Sequence, residues 1–197
     1  MKDMSAVGTV DRADAIGPDF ASVLVAAQAG GAWALRRIYD GLAPAVTGYA
    51  RVRGASDPEG LVNDVFARAF RKIEAFEGDQ AALRSWIFTI AHNALIDDRR
   101  RMSRRVVSAR PLEDGDVTEA VASAEDTAME SFSAARVRAI LATLPVDQCE
   151  VLTLRLVGDL TIPQVARIVG RSIGATKALQ RRGLTRLKNV VTEGVPL

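Results

Sequence analysis

At 197 residues the chain has length for one large domain or two small ones, and a multi-domain enzyme of ordinary size is excluded. Apolar residues at 48% and charged residues at 25% are ordinary globular values, which sets aside bulk disorder, collagen-like repeats and extended coiled coil. The net charge of +2 hides a strong segregation of signs, and a single Cys (Cys149) with a single His (His92) supplies neither an intrachain disulfide nor the ligands of a structural zinc site, so a reducing cytoplasmic setting is expected.

Residues 1–18 carry three Asp and no apolar run of signal-peptide length, and nowhere do 18 apolar residues run together, so neither secretion nor membrane insertion is expected. Asp19 to Ala29 and Ala32 to Arg53 read as helices punctuated by Gly30-Gly31, Gly41, Pro44 and Gly54, with Trp33, Ile38, Leu42, Val46 and Tyr49 as inward candidates. Asp57 is placed to cap a helix that Pro58 opens, and Leu61, Val62, Val65, Phe66, Ala69, Phe70 and Ile73 recur at helical spacing. Gly78 and Asp79 break that run. A further helix follows through Leu83, Trp86, Ile87, Ile90, Ala91, Ala94 and Leu95, closing a first helical domain over residues 19–102.

Arg99 to Arg110 holds six Arg and no acid, whereas Pro111 to Glu130 holds seven acids and no base. Periodicity vanishes across that reversal, so residues 103–128 read as a solvated acidic linker that cannot bury enough apolar surface to order itself. Helical spacing resumes at Met129, Phe132, Val137, Ile140, Leu141 and Leu144 up to Pro145, and again over Val151 to Val157 until Gly158. The second domain, residues 129–192 before a short tail at 193–197, is therefore helical too, and the predicted fold is all-α.

Within it, Thr161 and Gln164 have capping-box spacing, Gly170 stops a short helix, and Ser172 is placed to cap the next, which is the grammar of a helix-turn-helix. Leu160 to Thr192 carries seven bases and no acid, and the last helix is expected to turn Ile173, Leu184 and Leu187 inward. Arg171, Lys177, Arg181, Arg182, Arg186 and Lys188 remain to meet phosphates or, for Lys177 and Arg181 on one face, base edges in a major groove. A plain helical hairpin with a solvated basic face is the competing reading. In the first domain, His92 and Asn93 beside the Arg cluster suit melted DNA, Trp86 fits either that role or the core, and no nucleophile setting accompanies His92, so catalysis is not expected.

The segments DPEGLVNDVFARAF, LRSWIFTIAHNALIDDRRR and LPVDQCEVLTLRLVGDLTIPQVARIVGRSIGATKALQRRGLTRLK, separated by the acidic stretch, resemble those of bacterial extracytoplasmic-function sigma factors over residues 20–191. The resemblance implies two helical domains, sigma regions 2 and 4, that bind core RNA polymerase and give it promoter recognition without a cofactor. It implies polymerase contact through Glu59, Asn63 and Asp64, and minus-10 contact through Trp86, His92, Asn93, Arg99, Arg100, Arg101, Arg104 and Arg105. Minus-35 contact would fall to Arg171, Ser172, Ala175, Lys177, Ala178, Arg181 and Arg182. An anti-sigma factor is a further partner that the family admits. Gly60 stands where relatives usually carry an acid, and costs about 1 kcal/mol of helix propensity against Ala. Two other classes fit parts of the chain: a stand-alone helix-turn-helix regulator with a helical partner- or ligand-binding domain, and a helical anti-sigma or adaptor protein, which leaves the basic C-terminal stretch without purpose.

Overall fold

A computed structural model describes residues 15–108, 139–141 and 143–192; the acidic stretch, the start of the helix expected from Met129, residues 1–14 and the C-terminal tail lie outside them. Ile16, read from sequence as part of the N-terminal tail, is instead buried in the core, because its apolar side chain packs there and its carbonyl accepts from Arg37 at 2.8 Å. Seven α-helices are described: α1 Phe20–Gln28, α2 Ala32–Val52, α3 Pro58–Phe70, α4 Gln80–Ser108, α5 Val146–Leu156, α6 Ile162–Ile168 and α7 Ile173–Thr192, with a 3-10 turn at Ile73–Ala75. No strand occurs among the described residues. Helix α4 runs to Ser108, past the domain edge read at residue 102, because nothing between Arg99 and Ser108 is a helix breaker.

The helix ends follow their sequence signals. The Asp57 carboxylate accepts the Gly60 N–H at 2.8 Å at the start of α3, and Asp79 accepts the Ala82 N–H at 2.7 Å at the start of α4. A Cβ on Gly60 would meet the Asp57 carboxylate at 2.1 Å, so this cap, as it stands, is built around a glycine. Gly41 and Pro44 do not interrupt α2, which is continuous across both; Gly41 lies so close to the Ala15 carbonyl that a Cβ would sit 2.7 Å from it.

The buried stripe of α2 is Ala34, Ile38, Leu42, Ala43, Val46, Tyr49 and Ala50. Trp33, expected inward, is instead 59% exposed: it sits one residue, about 100°, before Ala34 and so points away from the stripe. Helix α3 packs on α2 and α4 through Leu61, Val62, Val65, Phe66 and Ala69, as its period predicts. In α7 the inward residues are Thr176, Leu179, Gly183 and the half-buried Leu187, with Gly183 seated on Leu152. Ile173 and Leu184, assigned inward from sequence, are exposed, because the stripe through Leu179 lies on a different face.

The two halves touch. Val151, Leu154, Leu160, Val165, Ile168 and Leu179 join one continuous core with the buried residues of α2, α3 and α4. Glycines let the backbones close: Gly48 of α2 lies under Val157, and Gly158 lies against the Phe88 ring, where added Cβ atoms would come within 3.1 and 3.2 Å. Around that seam, Arg84 donates to the Gly158 carbonyl at 3.3 Å and Gln164 to the Ala81 carbonyl at 3.2 Å.

Leu154 is fully buried at this seam, so Leu154→Ala should lower unfolding free energy by about 2–5 kcal/mol in urea denaturation, and an unchanged midpoint would contradict a shared core.

Candidate nucleic-acid and partner interface

The turn between α6 and α7 is built as its residues require. Gly170 takes φ +64°, Ala166 is buried at the crossing, and Ser172 Oγ accepts the Ala175 N–H at 3.2 Å. At the other end of α6, Gln164 Oε1 accepts both the Thr161 N–H at 2.7 Å and its hydroxyl at 2.9 Å. With Thr176, Leu179 and Gly183 turned inward, α7 presents Ala175, Lys177, Arg181, Arg182, Arg186 and Lys188 outward, and Ala178 is half-buried. Arg171 is exposed but paired with Asp147 at 2.6 Å, an ion pair that DNA would have to displace.

On the first half, Asn93 is exposed on α4, one residue beyond the buried His92. Trp86 is half-buried and stacks on Phe76 with ring centres 5.2 Å apart, so it belongs partly to the core and partly to the loop before α4. That loop is held by a residue the sequence did not single out: Gln28 Nε2, at the end of α1, reaches the carbonyls of Ile73, Glu74 and Phe76 at 3.3, 3.4 and 2.9 Å. Arg100, Arg101 and Arg104 are exposed towards the end of α4, and Arg105 lies on the same helix. Arg99, Arg100 and Arg104 line an open groove of about 680 Å³ with Ile96, Asp97 and Ser103. Arg99 is not wholly free for a phosphate, since its Nη2 donates to the Arg53 carbonyl at 2.6 Å.

His92 sits differently from its neighbour. Only 7% exposed, it places Nδ1 3.0 Å from the Glu150 carboxylate of α5 and 3.2 Å from the Tyr49 hydroxyl. Arg53 Nη2 lies 3.4 Å from the same carboxylate, and Arg53 Nη1 donates to the Val146 carbonyl at 3.1 Å. Burial alone would raise the Glu150 pKa, but the hydrogen bond from His92 and the charges of Arg53, His92 and Arg99 outweigh it and hold the carboxyl below its usual range. Burial pushes the Tyr49 hydroxyl upward, and the Glu150 charge adds to that. Spacing along the chain offers no signal for this cluster, because Arg53 and Glu150 are far apart in sequence.

The remaining predicted surface lies on α3. Glu59 and Asn63 are exposed and Asp64 is half-buried, on the side opposite Leu61, Val62 and Val65. Glu59 pairs with Arg51 at 2.5 Å, a hydrogen bond that holds its carboxyl below the usual range, and Asp64 pairs with Arg68 at 2.6 Å. Asn63 Oδ1 is 3.5 Å from the Tyr39 hydroxyl. The three polar groups thus form one solvent-facing strip away from the seam.

Comparison with known proteins matches Sigma-70 region 2 to residues 32–105 and Sigma-70, region 4 to residues 134–187. The chain is 34% identical over 169 residues to the ECF RNA polymerase sigma factor BldN of Streptomyces coelicolor, covering 85% of this chain but only 64% of that longer relative. It is 30% identical to the ECF RNA polymerase sigma factor SigD of Mycobacterium tuberculosis, with 86% and 82% of the two chains covered. The ECF RNA polymerase sigma factor RpoE of Cereibacter sphaeroides is 32% identical, at 79% and 84% coverage. In fold the chain is similar to CnrH, solved in complex with the cytosolic domain of CnrY, with TM-score 0.62, 21% identity and coverage of 92% and 99%. RpoE of Bartonella quintana, solved with the anti-sigma factor NepR, gives TM-score 0.58 at 24% identity, with 77% and 92% covered.

Removing the Gln28 amide in Gln28→Leu should release the turn at Ile73–Ala75 and speed exchange of the Phe76 amide about tenfold, with the melting temperature shifted only a few degrees. Exchange at the wild-type rate would dismiss Gln28 as the clamp on that loop.

Proposed function

The chain belongs to the ECF RNA polymerase sigma factors, transcription initiation factors that direct core RNA polymerase to promoters, and from that premise we propose how the work is divided along it. The second half reads the minus-35 element as duplex. The observation that carries this is α7 itself, which turns Thr176, Leu179 and Gly183 into the core and leaves Lys177, Arg181 and Arg182 outward behind a glycine-closed turn. A helix held by its inner face and basic on its outer face enters a major groove, exchanges phosphate counterions for its own charges, and offers arginine to guanine edges.

In the same proposal the first half reads the minus-10 element after melting. Asn93 supplies amide hydrogen bonds to an unpaired base, the Phe76–Trp86 stack supplies an aromatic surface beside it, and Arg100, Arg101, Arg104 and Arg105 hold the backbone. His92, Arg99, Arg171, Ser172, Ala175 and Ala178 belong to the same two surfaces, with His92 reaching DNA only once Glu150 has left it. The strip of Glu59, Asn63 and Asp64 meets core polymerase. Gly60 removes an acid from that strip.

Sigma factors are in general not enzymes, and we assign this chain no catalytic set and no cofactor of its own. It works where RNA polymerase works, which places it in the cytoplasm; no helix among the described residues is long and apolar enough to cross a membrane. An anti-sigma factor is the expected negative regulator, by analogy with the RpoE complex of similar fold.

The direct test is reconstitution with bacterial core polymerase, followed by mapping of transcript starts on genomic DNA of the host. Discrete new starts are expected, and DNA binding by the free chain as tight as with core would favour a stand-alone regulator instead. Arg182→Ala should reduce promoter-dependent transcription about 10- to 100-fold with core affinity nearly unchanged. Asp64→Arg should do the reverse, weakening core binding while promoter preference is retained; equal loss of both activities in either variant would refute the division.

A further inference from the structure

Ile173, the first residue of α7, is 48% exposed and takes no part in the buried core. A single exposed aliphatic side chain calls for no explanation by itself, but its place on the helix gives it one. Residues four apart share a helix face, so Ile173, Lys177 and Arg181 form one row along α7, and all three are exposed. From its N-terminal end the row runs apolar, cationic, cationic, at about 6 Å per step. Gly174 leaves the surface beside Ile173 bare, since a Cβ there would meet nothing within 4 Å. Ile173 also forms one wall of an open groove of about 490 Å³ at the turn between α6 and α7, with Pro163, Arg167, Gly170 and Arg171 among the other walls. The two arginines differ. Arg171 is held by Asp147 at 2.6 Å, whereas Arg167, exposed in the last turn of α6, pairs with no acid among the described residues.

The chemistry of that wall restricts what it can meet. In the major groove adenine, guanine and cytosine present hydrogen-bonding groups, and thymine alone adds a 5-methyl group. An isoleucine laid over N7, O6 or an exocyclic amine takes water from a polar group and returns no hydrogen bond, which weakens binding. Laid over a methyl group, it buries apolar surface on both partners. The N-terminal residues of a recognition helix are those that reach base edges, and Ile173 stands there. The first helix of such a pair crosses the sugar-phosphate backbone, which is where Arg167 stands.

Resting on the assignment of α7 to the minus-35 duplex, we infer that Ile173 is a specificity residue of that surface which takes the 5-methyl group of a thymine, and that Arg167 holds a backbone phosphate beside it. Ile173 adds sequence preference without hydrogen bonds, and Arg167 adds affinity without sequence preference. The eight residues from Ile173 to Arg181 span about 12 Å of helix against about 3.4 Å per base-pair step, so the thymine lies about three or four positions from the base that Arg181 addresses.

The test uses holoenzyme assembled from the full chain and bacterial core polymerase, on a promoter located by mapping transcript starts. Each thymine of the minus-35 element, on either strand, is replaced in turn by deoxyuridine, which removes the 5-methyl group and leaves every hydrogen-bonding group in place. Wild-type holoenzyme should lose affinity about fourfold at the contacted thymine, the effect of one buried methyl group. Ile173→Ala should bind the thymine and deoxyuridine forms of that site equally, with helix content and melting temperature retained because the side chain lies outside the core. Arg167→Gln should weaken binding to all minus-35 sequences alike, lower the slope of log affinity against log salt by about 1, and leave the thymine preference intact. Indifference of the wild type to deoxyuridine at every position, or a thymine preference that survives in Ile173→Ala, overturns the methyl contact. Weaker transcription by Ile173→Ala with its thymine preference unchanged overturns it in favour of a protein partner at this groove. An unchanged salt slope in Arg167→Gln overturns the phosphate contact. Holoenzyme that ignores scrambling of the whole minus-35 element overturns the assignment of α7 itself, whereas sensitivity to scrambling without sensitivity to deoxyuridine overturns only the part given to Ile173.

Discussion

Glu150 can be buried only because Arg53 and His92 reach it from the opposite half of the chain, and much of the architecture follows from that requirement. A carboxylate that deep loses hydration worth several kcal/mol, which a single partner at 3.0 or 3.4 Å would offset poorly. Two partners, a third charge at Arg99 and the Tyr49 hydroxyl complete its surroundings. Tyr49 lies on α2, His92 on α4, and Arg53 directly after α2, so the position of α5 is fixed against two helices at once. The short α6 then follows α5 onto α4, where Gln164 finds the Ala81 carbonyl. Seven residues of helix bury too little surface to hold a position alone, and this one is placed by its neighbours.

The same seam accounts for glycines that the functional surfaces do not use. Gly48 and Gly158 sit where side chains of the opposite half arrive, and Gly158 also lies 2.6 Å, from its notional Cβ, from the Leu154 carbonyl. Gly183 plays a similar part within the second half, letting α7 settle on Leu152 and thereby fixing which face of α7 remains outside. Packing and DNA reading are linked in this way: the residue that seats the helix decides that Lys177, Arg181 and Arg182 are presented. Gly60 differs, since its lack of a side chain leaves the Asp57 carboxylate free to close the α3 cap.

Local periodicity reveals whatever one helix decides by itself. The stripe of α3, the caps at Asp57 and Asp79, the stop at Gly170 and the cap at Ser172 are all legible in sequence because each depends on residues within one or two turns. Trp33 and Ile173 differ from the expectation because an apolar residue near a helix end satisfies a rough period without facing the core, and Leu184 because it lies about 100° past the buried Gly183. The seam was not legible, since Arg53 and Glu150 are each ordinary charged residues until the fold brings them together. For the surfaces the outcome is mixed: exposure agrees for Asn93, Lys177, Arg181 and Arg182, whereas His92 and Arg99 are engaged within the protein.

Yet α4 does carry a trace of the seam in its order of residues. Its buried positions come in adjacent pairs, Leu83 with Arg84, Ile87 with Phe88, Ala91 with His92 and Ala94 with Leu95. A helix facing a single neighbour shows one stripe at spacings of three and four; adjacent pairs repeated each turn describe two stripes side by side, about 100° apart. The second stripe is the one that meets the other half: Arg84 donates to Gly158, Phe88 lies against Gly158, and His92 pairs with Glu150. Two of those three are polar or charged, and each finds its partner on the opposite half. Arg84 and His92, eight residues apart with Phe88 midway, thus mark on one helix the line along which the two halves of this chain meet.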